Sequence, residues 1–440
     1  MYIIFTKFAH NLKILRMRKL LLALIISTSF LTANAENTLL VGGDVSVLQS
    51  YEDHNVPYLN KDGDAISDML TYLKSDIVGW NALRVRLFVN PRQKDGDWHT
   101  DAQVCQDLNY VVRFCKRVKA AGYSLLLDFH YSDTWADPAN QWIPESWAGL
   151  TEEELKEKIY TYTKECLQTL VDNDATPDFI QIGNEISYGM LWSVEHNRAS
   201  RQNRCYSDSY PTYWTRFINL LGQASKACRE ICPDAQIVIH TERSGYPSAL
   251  QDIYTRLNGV DYDIIGLSYY PFWHNSLSVL SNSLETLATN FPEKRVHIVE
   301  TAYYYQYPSD IIYDFSKIWP YTPEGQSKFI KDLIDELKKH TNVDALYWWF
   351  PEENGNGPDS SVLTGWINRG FWNNSTHTAL PGLYIMKDFL DRSTDVDEAH
   401  TDEDTSTPPA YFDLMGREVS QPTEGIYIMR QGGKTSKILK

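Results

Sequence analysis

Eight short segments rich in β-branched and aromatic residues recur along the chain, each followed by a stretch long enough for a helix or a large loop. They are LLVGGDVS (39–46), ALRVRLFV (82–89), SLLLDFHY (124–131), FIQIGNE (179–185), QIVIHTE (236–242), IIGLSYY (264–270), RVHIVET (295–301) and ALYWWF (345–350). The stretches VCQDLNYVVRFCKRVKAAG, TEEELKEKIYTYTKECLQTLV and TPEGQSKFIKDLIDELKKH have the apolar spacing of amphipathic helices, the first with Gly122 placed as a C-terminal stop. Eight strand-helix units in one chain predict an α/β fold, a (β/α)8 TIM barrel over 36–390. The alternative is an open doubly wound sheet, but no glycine-rich phosphate loop follows the first strand. A barrel also explains where polarity falls. Apolar residues start each segment, and Asp44, Arg86, Asp128, His130, Asn184, Glu185, His240, Tyr270, Glu300 and Trp349 end them. In barrel enzymes that C-terminal rim carries the chemistry.

Outside the barrel the composition changes twice. Met17, Arg18 and Lys19 precede the apolar run LLLALIISTSFL and then Ala33, Asn34 and Ala35, the order of a secretory signal, with cleavage expected after Ala35. The apolar run is shorter than the roughly 20 residues of a spanning helix, which argues against the alternative of a membrane anchor. Residues 391–409 hold seven acidic residues against one Arg and end in two prolines, as a solvated linker does. Residues 410–440 then alternate in short pieces that predict a small β-rich tail, similar to the endings of many secreted Bacteroidetes proteins. An exported chain, periplasmic, at the cell surface or secreted, is expected, with no membrane span once the signal is removed.

Removing the first 35 residues takes away five basic and no acidic side chains, leaving 36 basic against 57 acidic, a net charge of −21. That sign repels nucleic acid and acidic polysaccharide alike, so a neutral partner is favoured. The six cysteines, Cys105, Cys115, Cys166, Cys205, Cys228 and Cys232, are not spaced as a zinc site, and export permits disulfides without fixing any pair.

Glu185 and Glu300 end the fourth and seventh segments, across a narrow barrel from each other. Hydrolysis of a glycosidic bond with retention needs a proton donor and a carboxylate nucleophile roughly 5–5.5 Å apart. The pair fits those roles, Glu185 as acid/base and Glu300 as nucleophile, although two carboxylates at strand ends also occur as structural ion-pair partners. Asn184 is placed to bond a sugar 2-hydroxyl. Arg86, in phase with Arg84 but nearer the rim, is predicted to hold Glu300 ionised, and Tyr270 to donate to it. Eight of the thirteen tryptophans (Trp135, Trp142, Trp147, Trp192, Trp273, Trp349, Trp366 and Trp372) fall at strand ends or in the loops after them. Aromatic faces stack on the apolar faces of sugars, so Trp135, Trp192, Trp273 and Trp349 are candidate subsites. Asp44, His130, Asp133 and His240 are candidate partners of sugar hydroxyls, and Tyr131 and Asp137 share the loop of His130.

At these residues the chain resembles glycoside hydrolase family 53, the endo-β-1,4-galactanases. The matching runs are GGDVS (42–46), LRVRLFVNP (83–91), LDFHYSDTWADP (127–138), IGNEISYGMLW (182–192), GLSYYPFW (266–273), IVET (298–301) and TPEGQ (322–326). The resemblance implies a retaining barrel glycosidase that cuts the galactan side chains of pectin, with the acid/base at Glu185 and the nucleophile at Glu300. It implies a polysaccharide as the partner and no required cofactor; we expect a monomer. Three stretches depart from the family's pattern: Glu300 to Tyr305 after the seventh segment, His240 to Gly245 after the fifth, and WWFPEEN after the eighth. Some bacterial members hold a structural calcium ion in the loop after strand eight, and PEENGNGPDSS (351–361) has oxygen ligands but no EF-hand spacing. The alternatives are a barrel glycosidase acting on another neutral β-glycan, such as mannan or xylan, and a non-catalytic glycan-binding protein.

Overall fold

The computed structural model describes residues 38–91, 104–192, 202–206, 208–355, 366–391, 410–412, 419–420, 426–431 and 434–439. All eight predicted segments are strands: β1 (Leu40–Asp44), β2 (Ala82–Leu87), β3 (Ser124–Phe129), β4 (Phe179–Ile182), β5 (Gln236–Thr241), β6 (Ile264–Tyr269), β7 (Arg295–Thr301) and β8 (Val343–Trp349). Each pairs in parallel with the next, and β8 closes on β1 with Gly42 opposite Tyr347 and Asp44 opposite Trp349. The result is the closed (β/α)8 barrel. Several strands stop short of their predicted ends because the last polar residues leave the ladder. Asn184 and Glu185 follow β4, His130 follows β3 and Tyr270 follows β6.

Strand side chains alternate between two faces, and the alternation divides the barrel into layers. In β2, Leu83, Val85 and Leu87 join the large core between strands and helices. Ala82 belongs instead to a separate apolar cluster with Leu40, Leu126, Val238, Ile264 and Tyr347. Arg84 and Arg86, in phase with Ala82, are buried among polar side chains of the other strands. The barrel axis therefore passes from an apolar floor to a polar layer.

The helices are fixed by their sequence signals. Leu108–Ala120 buries Tyr110, Val111, Phe114, Cys115 and Val118 at three- and four-residue spacing, with the Asp107 side chain capping the N–H of Tyr110. It stops two residues before Gly122. Glu152–Val171 starts with a capping box in which Thr151 and Glu154 satisfy each other's backbone N–H. Thr322 caps Pro323–Leu337.

The chain divides into two compact units, residues 1–390 and 391–440. In the second, Ile426–Gln431 is the centre of a three-stranded antiparallel sheet, flanked by Ala410–Phe412 and Lys434–Leu439. The expected signal segment (1–35) and all but Asp391 of the expected acidic linker lie outside the described residues. Among the described residues no helix is long and apolar enough to cross a membrane. The six cysteines are free thiols, all buried except Cys105.

The barrel closes tightly at β1. A Cβ built on Gly42 lies 1.7 Å from the Ala82 carbonyl oxygen, the partner residue in the ladder. Gly42→Ala must therefore spread β1 from β2, and we expect a loss of about 3 kcal/mol in urea denaturation; a stability within 0.5 kcal/mol or so of the wild type would show that the strands can give.

Candidate active site

Gly183 begins the turn that presents the first carboxylate. Its φ of +109° is open to glycine, and an added Cβ would sit 2.8 Å from the Ile186 side chain. Glu185 itself is left-handed, at φ +48°, a conformation that a non-glycine residue holds only where its surroundings fix it. One constraint is visible: the Glu185 N–H donates to His240 Nδ1 at 3.3 Å. Gln181 Nε2 also faces His240 Nδ1, at 3.1 Å; against these two N–H donors stands one acceptor, Asn184 Oδ1 at 3.0 Å, and we assign the ring proton to Nε2, which lies 2.8 Å from Ser268 Oγ. Ser268 in turn donates to Glu185 Oε1 at 2.6 Å. Burial holds His240 well below the usual histidine range, so the chain starts from a neutral ring.

Glu300, near the end of β7, is held from two sides. Arg84 Nη1 lies 2.9 Å from its Oε1, and the Tyr270 hydroxyl donates to its Oε2 at 2.9 Å. The ladder between β6 and β7 shifts register after Leu267, which sets Ser268 opposite Glu300 and places its hydroxyl 3.4 Å from Oε2. A carboxylate oxygen of Glu185, one of Glu300 and a ring nitrogen of His240 all lie within 4.8 Å of one another. Such a trio could ligate a cation, but its donors face Ser268, Gln181, Tyr270 and the positive charge of Arg84, which opposes a metal ion there.

The two carboxyls titrate in a definite order. Burial lifts Glu300 to about 7, and Arg84 is the main group pulling it back down, with the Tyr270 hydrogen bond assisting. Burial lifts Glu185 well above the usual carboxylate range too, and the charges of Glu300 and then Glu242 push it further. Glu300 ionises first, and Glu185 keeps its proton.

A cleft of about 420 Å³ opens over the pair. His130, Trp135, Asn184, Tyr270, Trp273 and Trp349, all predicted for the site, line it together with Glu185 and Glu300. Trp349 meets Trp366 at a centroid distance of 4.2 Å, and Trp366 meets Trp273 at 5.5 Å, so an aromatic arc borders Glu300. Asn184 is oriented by its Oδ1, which accepts from Arg84 Nη2 at 2.8 Å and Gln181 Nε2 at 3.3 Å and lies 3.0 Å from His240 Nδ1, and by its Nδ2, which donates to the Ala136 carbonyl at 2.7 Å. The second Nδ2 hydrogen has no partner among the described residues. His130 lines the wall with both nitrogens engaged, Nε2 3.1 Å from Asp128 and Nδ1 accepting from the Ala136 N–H.

Five placements correct the sequence reading. The cation at Glu300 is Arg84. Arg86 pairs with Asp44 at 2.7 Å, and its guanidinium lies 4.6 Å from the Trp135 ring centroid and 5.7 Å from that of Trp349, so it props the aromatic wall from behind. Asp44 is wholly buried between the two arginines. His240 is buried under Glu185. Asp133 turns away to accept the Glu145 N–H at 2.8 Å. Trp192 is wholly buried, edge-on to Trp142 with its Nε1–H on the Tyr188 carbonyl. None of these five lines the cleft.

Sequence reasoning missed Glu242, a third buried carboxyl on the cleft wall. Ser187 donates to its Oε2 at 2.5 Å, and its Oε1 accepts no hydrogen bond among the described residues but lies 3.7 Å from Arg243 Nε. Burial raises its pKa. The signal was present: Val238, His240 and Glu242 alternate on one face of the strand and its extension. The same rule places Gln181, Asp128 and Ser268 inward.

Residues 40–386 match the family model described as Glycosyl hydrolase family 53. Among curated relatives, a probable arabinogalactan endo-β-1,4-galactanase A of Aspergillus terreus is 33% identical over 70% of this chain and 84% of its own. An endo-β-1,4-galactanase of Bacillus subtilis is 30% identical over 70% of each. Among solved structures, the GH53 catalytic domain of Ignisphaera aggregans superposes with a TM-score of 0.69 at 28% identity, covering 81% of this chain and 97% of that one. A fungal β-1,4-galactanase gives 0.65 at 28% identity, covering 79% and 98%.

The charge of Glu300 is one of the forces holding the Glu185 proton, so Glu300→Gln removes it. We expect the Glu185 pKa to fall, read from the 13C chemical shift of its carboxyl against pH. An unmoved titration would remove Glu300 from the causes and leave burial and the charge of Glu242.

Proposed function

From the premise that the chain belongs to glycosyl hydrolase family 53, we propose how its residues divide the work of a retaining endo-β-1,4-galactanase. The enzyme is a glycoside hydrolase that cleaves β-1,4-galactosidic bonds of galactan and arabinogalactan. Ionised Glu300 attacks the anomeric carbon while Glu185 gives its proton to the leaving oxygen, forming a glycosyl-enzyme ester. Glu185, now a carboxylate, then takes a proton from water, and the hydroxide oxygen displaces Glu300 with overall retention. The observation that carries this reading is the pair itself: carboxylate oxygens within 4.8 Å, one carboxyl against Arg84 and Tyr270 and the other against Ser268. Oxygens that close favour the short separation of a retaining pair over the roughly 6.5–9.5 Å between the carboxyls of an inverting one. Asn184 has a free amide hydrogen for the sugar 2-hydroxyl, and the aromatic arc supplies faces for the rings.

No cofactor takes part, since both proton and nucleophile come from side chains. One chain carries both carboxyls, which supports action as a monomer, and the N-terminal segment supports export. Glu300→Gln should abolish release of sugars from linear galactan with an unchanged circular dichroism spectrum. Azide added to Glu300→Ala should restore turnover of an activated aryl galactoside with inverted product. Normal galactan cleavage by either variant would sink the assignment, and a panel with mannan and xylan checks the substrate.

After β8, three buried side-chain oxygens accept no hydrogen bond among the described residues: Glu352 Oε2, Glu353 Oε2 and Oδ1 of Asn374, whose backbone and Cβ pack on Gly355. Hard oxygen donors of this kind suit a calcium ion. We extend the reading to a structural calcium held there by Glu353 and Asn374. The melting temperature should drop on adding EDTA and recover with calcium; a melting curve indifferent to both would remove the ion from the reading.

A further inference from the structure

Beside the catalytic cleft lies a second cavity of about 370 Å³, walled by Ser187, Tyr188, Tyr206, Trp214, Arg243 and Asp252 among others. The two spaces are neighbours through one contact. Ser187 lines this cavity, Glu242 lines the cleft, and the hydroxyl of one donates to the carboxyl of the other. Ser187 and Tyr188 follow Glu185 by two and three residues, so the cavity lies on the acid/base side of the cleft.

Its walls are built for a neutral, hydroxyl-bearing ring. The Tyr188 and Tyr206 rings lie 5.2 Å apart, with the Arg204 guanidinium over both at 4.4 and 5.1 Å. Arg243 donates to the Tyr188 hydroxyl at 2.6 Å and lies over the Tyr188 and Tyr246 rings, each at 4.9 Å. Planar cations clamped against aromatic faces keep those faces rigid and leave further N–H groups for hydroxyls. Asp252 on the same wall is paired with Arg256 Nε at 3.0 Å. Tyr206, on the cavity wall, is 42% exposed, aromatic area left open to solvent.

The chemistry fixes which part of a chain would come here. The acid/base protonates the oxygen of the departing group, so the leaving portion lies on the Glu185 side, while the attacked sugar sits over Glu300 beside the aromatic arc. We propose that this second cavity is a distal subsite for the leaving-group end of the β-1,4-linked galactan chain, with Tyr206 as its stacking face and Arg243 as its hydroxyl donor. The inference rests on Glu185 being the acid/base.

The test compares linear galactooligosaccharides of increasing length with an aryl galactobioside, whose leaving group is too short to reach the cavity. For Tyr206→Ala, kcat/KM on the long oligosaccharides should fall about tenfold, the size of one lost aromatic contact at a binding surface. Turnover of the aryl substrate should stay at the wild-type value, and Tyr206→Phe should behave as wild type on both. Equal losses on both substrates, or no loss on the long ones, would overturn the subsite. A wild-type enzyme that cleaves neither substrate would overturn the galactanase reading, and with it the subsite.

Discussion

The guanidinium of Arg84 is the contact on which the rest of the site depends. Its five N–H groups meet five acceptors: Gln181 Oε1 at 3.3 Å, Asp44 Oδ2 at 2.7 Å, Glu300 Oε1 at 2.9 Å, and Asp128 Oδ2 and Asn184 Oδ1 at 2.8 Å each. Those acceptors belong to β1, β3, β4, the turn after β4 and β7. One planar fork thus ties together strands on opposite sides of the barrel, a task for which the point charge of lysine has too few fixed donors. Cutting such a buried ionic contact from one side leaves charge without a partner, at a cost of about 3–5 kcal/mol. The three carboxylates keep Arg84 charged despite full burial.

Around that centre the backbone departs from regularity where chemistry is needed. β4 ends early, Gly183 and Glu185 take positive φ, and β6 shifts register at Ser268. Each departure is held by a side chain of the polar layer: His240 accepts the Glu185 N–H, and Ser268 bridges toward both carboxyls. Donors fixed before substrate arrives need no reorganisation as charge develops, which is where such a site gains its rate.

Much of this was legible from the chain alone. The eight strands, their order and the placement of Glu185 and Glu300 follow from periodicity and from polar residues at apolar segment ends. What was not legible depends on depth along the barrel axis. Arg84 and Arg86 alternate in phase, so period two puts both inside, but only the stagger of neighbouring strands decides which one reaches Glu300. Trp135 and Trp192 are both loop tryptophans near active-site motifs, yet one faces the cleft and the other packs on Trp142, because loop direction has no period to read. Glu242 was passed over because it lies just beyond the last paired residue of β5, although His240 two residues earlier already marked its face.

The balance of charge links these observations to catalysis. The inward carboxyls Asp44, Asp128, Glu185, Glu242 and Glu300 face the positive charges of Arg84 and Arg86, with Arg243 Nε 3.7 Å from Glu242 Oε1. In a low-dielectric site the negative charges would outnumber the positive ones, so a proton is retained where no cation is near. Asp128, bonded by both Arg84 and His130, is held below the usual carboxylate range and stays ionised. Among the described residues no guanidinium pairs with Glu185, so it keeps its proton, while Glu300 gives up its proton first because Arg84 touches it. The acid and the nucleophile are the same chemical group, and their roles are set by which of them the arginine reaches.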